Sequence, residues 1–273
     1  MTLKAALPLM LFSAIALADE YRSFSDVDVS RSESRVVEID QFTIGSTWYF
    51  DQKETLGPLK EFEYINKTSN IFGSYSRFES ESGGMAFDSD FPVIGGEYFA
   101  GNVLMGGSYR KLDDFEAFSG TLGYLVNSNF LVSLDAFKVE DQDNQYFVSA
   151  RYNHQLGGSN YIGFNFRTDD DFDTREVSSR YFTQLAGETH LAAELSYTFV
   201  DDFDDFWSLG ADYYFNKQTS LGLGIAKNEF YSLDFTRFFN RNIAVELGYS
   251  TSSNDAFADL DVDTYQLGVT VQF

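Results

Sequence analysis

Reactive side chains are scarce in this sequence. It holds two histidines, no cysteine, and 42 aspartates and glutamates against 19 lysines and arginines, for a formal net charge of −23. Hydrolytic or transfer chemistry needs a nucleophile or activated water, a base within hydrogen-bond reach, and a third group that orients the base. His190 opens an alternating segment beside the short turn Gly187-Glu188, and His154 is expected to face outward near another such turn. Neither lies near the acidic stretches where a surface protease would keep its site, so no residue is assigned a catalytic role and an enzyme is not expected. The acidic runs at 169–173 and 201–205 lack EF-hand spacing and are expected to hold counter-ions loosely, with no metal site. Dinucleotide and phosphate-loop fingerprints are absent, and no cofactor is implied. Excess carboxylate repels phosphate, which excludes nucleic acid as a partner. What remains is fixed charge, which acts only where an element of structure holds it in place.

The elements are read from alternation. In residues 264–273, Tyr265, Leu267, Val269, Val271 and Phe273 share one face, while Thr264, Gln266, Gly268, Thr270 and Gln272 share the other. The same two-residue period recurs in Ile243-Val245-Leu247-Tyr249, in Leu221-Leu223-Ile225, in Leu191-Ala193-Leu195-Tyr197-Phe199 and in Ile162-Phe164-Phe166. Helical spacing fits none of these. Repetition over nearly the whole chain argues against a soluble sandwich, which would show the pattern in fewer strands.

The connections alternate as well. One set is short and small or polar, such as Gly101-Asn102, Asn127-Ser128-Asn129, Gly157-Gly158-Ser159 and Asn240-Arg241. The other is acidic, at Asp113-Asp114, 140–143, 169–173, 201–205 and 254–263. Tight turns on one rim and longer loops on the other are the polarity of an outer-membrane barrel. The expected fold is therefore all-β, a closed antiparallel transmembrane β-barrel of about 16 strands, with 14 the next even number. Segment 52–69 breaks the alternation, carries Gly57-Pro58, and is expected on the periplasmic side as a short helix. No loop is long enough to be read as a constriction, although 80–90 and 254–263 could dip inward.

Three further features agree with a barrel. Residues 1–18 have a positive Lys4, an apolar run and Ala16-Leu17-Ala18, the layout of a secretory signal peptide, leaving 19–273 as the barrel. Aromatic residues make up 18% of the chain, and those on the apolar faces gather near the two sets of connections. Such rings settle at headgroup depth on both sides of a bilayer. Phe147 and Phe182 fall inward against that pattern.

The C-terminal run Tyr265, Leu267, Val269, Val271 and Phe273 resembles the signal read by the barrel-assembly machinery of the outer membrane. The strand FTIGSTWYF, followed by GPLKEFEYINKTSN, resembles the general porins of gammaproteobacteria. That resemblance implies a porin in the bacterial outer membrane, embedded in lipid and lipopolysaccharide, with a homotrimer as the oligomer common among pores of this size. It carries over no catalytic residues.

If the aliphatic face meets lipid, the opposite face lines a lumen wide enough for water at this strand number. Alternation then places Arg110, Arg151, Arg167 and Arg180 inward, together with Glu97, Asp135, Glu194, Asp212, Asp234 and Glu246. The arginines come from the first half and middle of the chain and most of the acids from the last third, so a basic arc would face an acidic arc. Equally, these charges could simply pair between neighbouring strands. The expected function is passive diffusion of small hydrophilic solutes or ions, with a cation preference from the acidic rim. The rival is a non-conducting barrel acting as an adhesin, structural or surface-binding protein through Phe172, Phe203 and Phe257. A plug is not expected, because the mature N-terminus ahead of Tyr21 is too short to supply one.

Overall fold

The computed structural model of the protein describes residues 19–112, 115–254 and 260–273. Its strands are β1 (Glu20–Glu33), β2 (Val37–Glu54), β3 (Asn70–Ser82), β4 (Met85–Ala100), β5 (Val103–Leu112), β6 (Phe115–Asn127), β7 (Phe130–Val139) and β8 (Gln145–Gly157). They continue as β9 (Asn160–Asp169), β10 (Thr174–Gln184), β11 (His190–Val200), β12 (Phe206–Asn216), β13 (Thr219–Ala226), β14 (Phe230–Phe238), β15 (Ile243–Asn254) and β16 (Leu260–Gln272). Each pairs with the next in sequence, and β1 closes the ring on β16. Phe24 lies opposite Gln272 and Glu33 opposite Asp263 along that seam. The sixteen-strand closed barrel agrees with the expectation from alternation.

Closure follows from the faces. Ile44, Ile94, Leu122, Leu195, Leu223 and Leu247 all stand exposed on the outside, where a bilayer would cover them. A sheet edge in hydrocarbon would leave a row of N–H and C=O groups without partners, and only a closed barrel removes the edge. Near the short turns the exposed rings include Phe50, Tyr98, Tyr124, Phe215 and Phe239. Near the acidic loops they include Tyr146, Phe166, Trp207, Tyr231 and Tyr265. On this second rim, tyrosine hydroxyls donate to carboxylates: Tyr75 to Asp90 at 2.6 Å, Tyr249 to Asp263 at 2.8 Å and Tyr197 to Asp205 at 2.9 Å. Each ring thus keeps its polar end toward water and its body toward lipid.

Two connections bear on the expectation of loops that could dip inward. Segment 80–90 does not dip inward; Ser80 pairs with Phe87 and Ser82 with Met85, around a two-residue turn at Gly83 (φ 60°) and Gly84 (φ 81°). Two successive positive φ angles define the type I′ turn whose twist suits a straight hairpin. In 254–263, Asn254 pairs with Leu260 and Thr251 with Asp263, and residues 255–259, including Phe257, lie outside the described residues.

Segment 52–69 is not a helix. β2 continues to Glu54, and residues 55–69 form an irregular strap with one isolated bridge, Thr55 to Phe62. Gly57 takes φ +130°, far from helical values, and the bridge pairs residues on either side of Gly57-Pro58 in an extended conformation. The strap instead finds partners in the barrel. Leu59 N donates to Lys217 O at 2.8 Å, and Gln272 Nε2 donates to Leu59 O at 3.2 Å.

The hydrophobic core consequently sits inside the barrel, at the end of the short turns. Leu59 packs with Tyr21, Phe238 and Ala244, and Ile65 packs with Leu104, Leu125 and Leu131. Leu56 and Tyr64 lie against Tyr161, Phe182, Ala192 and Tyr214. Phe182 points inward for this reason: it stacks on His190 at 5.5 Å and on Tyr161 at 5.7 Å beneath the strap. A Cβ on Gly163 would fall 2.6 Å from the Tyr64 ring, so a side chain there would push that ring off the wall. Burying Leu59 and Ile65 contributes about 1.5–3 kcal/mol each.

The assignment of faces has a direct consequence. Leu195→Arg, at the middle of β11 on the outer face, should lower stability by about 2–4 kcal/mol in urea titrations in lipid vesicles. Ser178→Arg, on the inner face of the neighbouring strand, should leave the midpoint nearly unchanged.

Candidate functional site

The strap meets the barrel wall on opposite sides, and its polar side chains meet wall charges. Glu61 is the hub. It is 5% exposed, accepts from Arg180 Nη2 at 2.6 Å, and accepts from the Tyr214 hydroxyl. Arg180 Nη1 also donates to Glu194 Oε2 at 2.9 Å on the adjacent strand. One guanidinium therefore holds both the strap and its neighbour, a task its planar fork suits. Across the lumen, Glu97 Oε2 accepts from Asn66 at 3.0 Å and from Asn70 at 2.9 Å. Toward the last strands, Lys60 Nζ lies 3.5 Å from both Asp212 Oδ1 and Thr236 Oγ1.

The remaining charges on this face are held by the wall itself. Arg110 lies 5.4 Å over Phe137 and Arg167 lies 4.1 Å over Phe147. Phe147 therefore points inward as the platform for a guanidinium. Arg151 lies opposite Leu131 and Asn165 in register. Burial raises the pKa of the nearby Tyr64 hydroxyl, and the charge of Arg151 works against that rise. Asp135 accepts from Thr121 Oγ1 at 2.6 Å, and Glu246 accepts from Thr270 Oγ1 at 3.2 Å. Of the ten charged residues expected to share a face, Arg180, Glu97 and Asp212 meet the strap. Arg180 and Glu194 pair between neighbouring strands, and the others are spread around the ring.

Several carboxylates share a local device. A Cβ on Gly45 would lie 2.8 Å from Asp26 Oδ2, one on Gly268 2.5 Å from Asp28 Oδ1, one on Gly222 2.9 Å from Asp212 Oδ1, and one on Gly248 3.1 Å from Asp234 Oδ1. Each glycine sits beside an acid on the adjacent strand, so the carboxylate folds over bare backbone and lies along the wall. Asp26 and Asp28 were missed as site residues, although the alternation in SFSDVDVS carried the signal. Lys60, Glu61 and Asn66 had no such signal, because the strap has no period.

Along β10 to β14, a cavity of about 270 Å³ is lined by Arg180, Glu194, Ser208, Asp212, Ser232 and Asp234. At the outer rim, Asp173 is raised above the usual aspartate pKa, by loss of hydration first and then by Asp169, Asp171, Asp201 and Asp202. Phe172 and Phe203 stand 59% and 78% exposed there. The histidines stay apart from this region. His190 is buried against Phe182, with Nδ1 3.0 Å from Glu188 O, and His154 is exposed beside Tyr152.

Comparison with known proteins supports a channel. The outer membrane protein Omp33 of Acinetobacter baumannii matches with a TM-score of 0.57 at 15% identity, over 94% of this chain and all of that one (100%). OprB of Pseudomonas putida, in a low-pH structure, matches with a TM-score of 0.53 at 12% identity, over 93% of this chain and 92% of that one. OpdQ of Pseudomonas aeruginosa gives 0.53 at 9% identity, over 94% and 99%. These identities speak for the fold. No individual curated protein sequence matches the chain. The sequence profile described as putative general bacterial porin matches residues 4–273. The family and the barrel point to a channel of the bacterial outer membrane rather than an enzyme, and the chain belongs to this general bacterial porin family.

Proposed function

We propose that the protein is a passive diffusion porin for small hydrophilic solutes and ions, with a cation preference and its narrowest point at the 55–69 strap. The observation that carries this reading is a polar, charged inner face around a strap whose own contacts with the wall include ionic and polar groups. Hydrocarbon-like packing alone would exclude water; Lys60 and Asn66 keep a hydrated path favourable. The net charge of −23 and the clustered acids of the outer rim concentrate cations at the mouth. Arg110, Arg151, Arg167 and Arg180 would supply one side of a transverse field, and Asp212, Asp234 and Glu246 the other. Insertion by the assembly machinery would use the C-terminal run ending at Phe273, in a membrane whose outer leaflet is lipopolysaccharide. Residues 1–18 would be removed on export.

The strap also favours a second reading, a barrel that conducts nothing and acts through its loops, because it touches opposite walls. Single-channel recording of the refolded protein in planar bilayers separates the two. Steady ohmic steps, with a reversal potential under a salt gradient that favours cations, are expected. A folded barrel without conductance would overturn the diffusion reading and leave a loop-mediated binding role.

Two further outcomes follow from the same geometry. Replacing residues 56–66 with a short Gly/Ser linker should raise unit conductance several-fold; an unchanged conductance would place the constriction elsewhere. Lowering the pH should weaken cation preference as rim carboxylates take up protons. Because Asp173 is raised above the usual aspartate value, the loss should begin at a higher pH than isolated aspartates would give. Reversal potentials measured across a pH series check this.

A further inference from the structure

We propose that Asp212, Asp234 and Thr236 form a cation-binding station in the lumen, and that Lys60 is a tethered ammonium occupying it. This rests on the reading of the barrel as a pore and names the solute chemistry the pore holds: primary ammonium groups and monovalent cations of similar size.

Three observations converge. The first is the occupant. The Lys60 ammonium approaches Asp212 Oδ1 and Thr236 Oγ1, each at 3.5 Å. Its side chain is 29% exposed and that of Asp212 26%, so the contact is half-buried rather than a loose surface pair. The second is the backbone. Gly222 lies between Asp212 and Asp234 in register. A Cβ there would fall 2.9 Å from Asp212 Oδ1 and 3.3 Å from Asp234 Cβ. Absence of that atom lets two carboxylates from β12 and β14 share one patch of wall. The third is access. The cavity of about 270 Å³ is lined by both carboxylates together with Ser208 and Ser232, giving a solute room beside the two acids.

The charge balance explains why one lysine cannot satisfy the patch. Two carboxylates face one ammonium, and Arg180, the cation that lines this cavity, is already committed to Glu61 and Glu194. A passing cation therefore competes with Lys60 for the same oxygens. The lysine terminus is an alkylammonium with three donors, and it reaches Asp212 and Thr236 with Asp234 beside them. The strap that narrows the lumen then also sets how strongly the lumen retains cations.

The test compares Lys60→Gln, the double variant Asp212→Asn/Asp234→Asn, and the triple combination, with Lys138→Gln as a control that removes the same charge near the outer rim. Reversal potentials and block of potassium current by propylammonium are recorded in planar bilayers. Lys60→Gln should raise the cation-to-anion permeability ratio about 25-fold, because removing one unit charge at roughly 4 Å in a water-like medium favours a cation about fivefold and disfavours an anion about fivefold. It should also make the current blockable by propylammonium, and the triple variant should lose both effects. Lys60→Gln behaving like Lys138→Gln, or keeping its gain in the triple variant, overturns the station. If no variant conducts, the pore reading itself fails, and the station is decided by thermal unfolding in detergent. Propylammonium should then stabilise Lys60→Gln and not the triple variant, and equal shifts in both would overturn it.

Discussion

The seam between β1 and β16 is the constraint on which everything else depends. Antiparallel pairing runs from Phe24 opposite Gln272 to Glu33 opposite Asp263, and it leaves no strand edge facing lipid. In water an open edge would be solvated; in hydrocarbon each unpaired backbone group is costly enough to forbid one. Once the ring is closed, strand parity fixes two environments. Aliphatic side chains face outward without pockets to fill, and the inner face is free to be polar.

An enclosed polar space then permits a strap that could not survive on the outside. Residues 55–69 carry irregular backbone and a buried carboxylate, both unstable against lipid. Inside, Lys217 O, Gln272 Nε2, Arg180 and Tyr214 satisfy them. The ion pair of Glu61 with Arg180 is better seen as registering the strap than as a source of stability. Desolvation offsets much of the attraction in a buried pair, whereas leaving one partner alone is costly. Apolar contacts of Leu59 and Ile65 supply the adhesion, and the ion pair selects where the strap stops.

The distribution of glycine serves the same end. Long side chains could narrow a lumen of this width, yet Gly45, Gly222, Gly248 and Gly268 each leave room beside a carboxylate. Acids folded flat against the wall give a field without narrowing the path. The arginines are held differently, by rings or by acids, so guanidinium planes are fixed where the wall offers Phe137, Phe147 or Glu194.

Period two was enough to read the barrel from sequence, because every second residue in a spanning strand must suit lipid. Strand number, the two rims, the outward aromatics and the inward parity of residues such as Asp212 and Arg180 were all legible on that ground. Even Phe147 and Phe182 showed themselves as exceptions, though without a cause. The strap was not legible. Its residues obey no period, and its stability comes from partners on strands remote in sequence, such as Arg180 for Glu61, Gln272 for Leu59 and Leu131 for Ile65. Local sequence determined that the chain closes into a ring with a charged interior. Only the tertiary structure decided what lies across that interior, because the strap's hydrogen bonds and ion pairs exist only once distant strands have been brought to the same height around it.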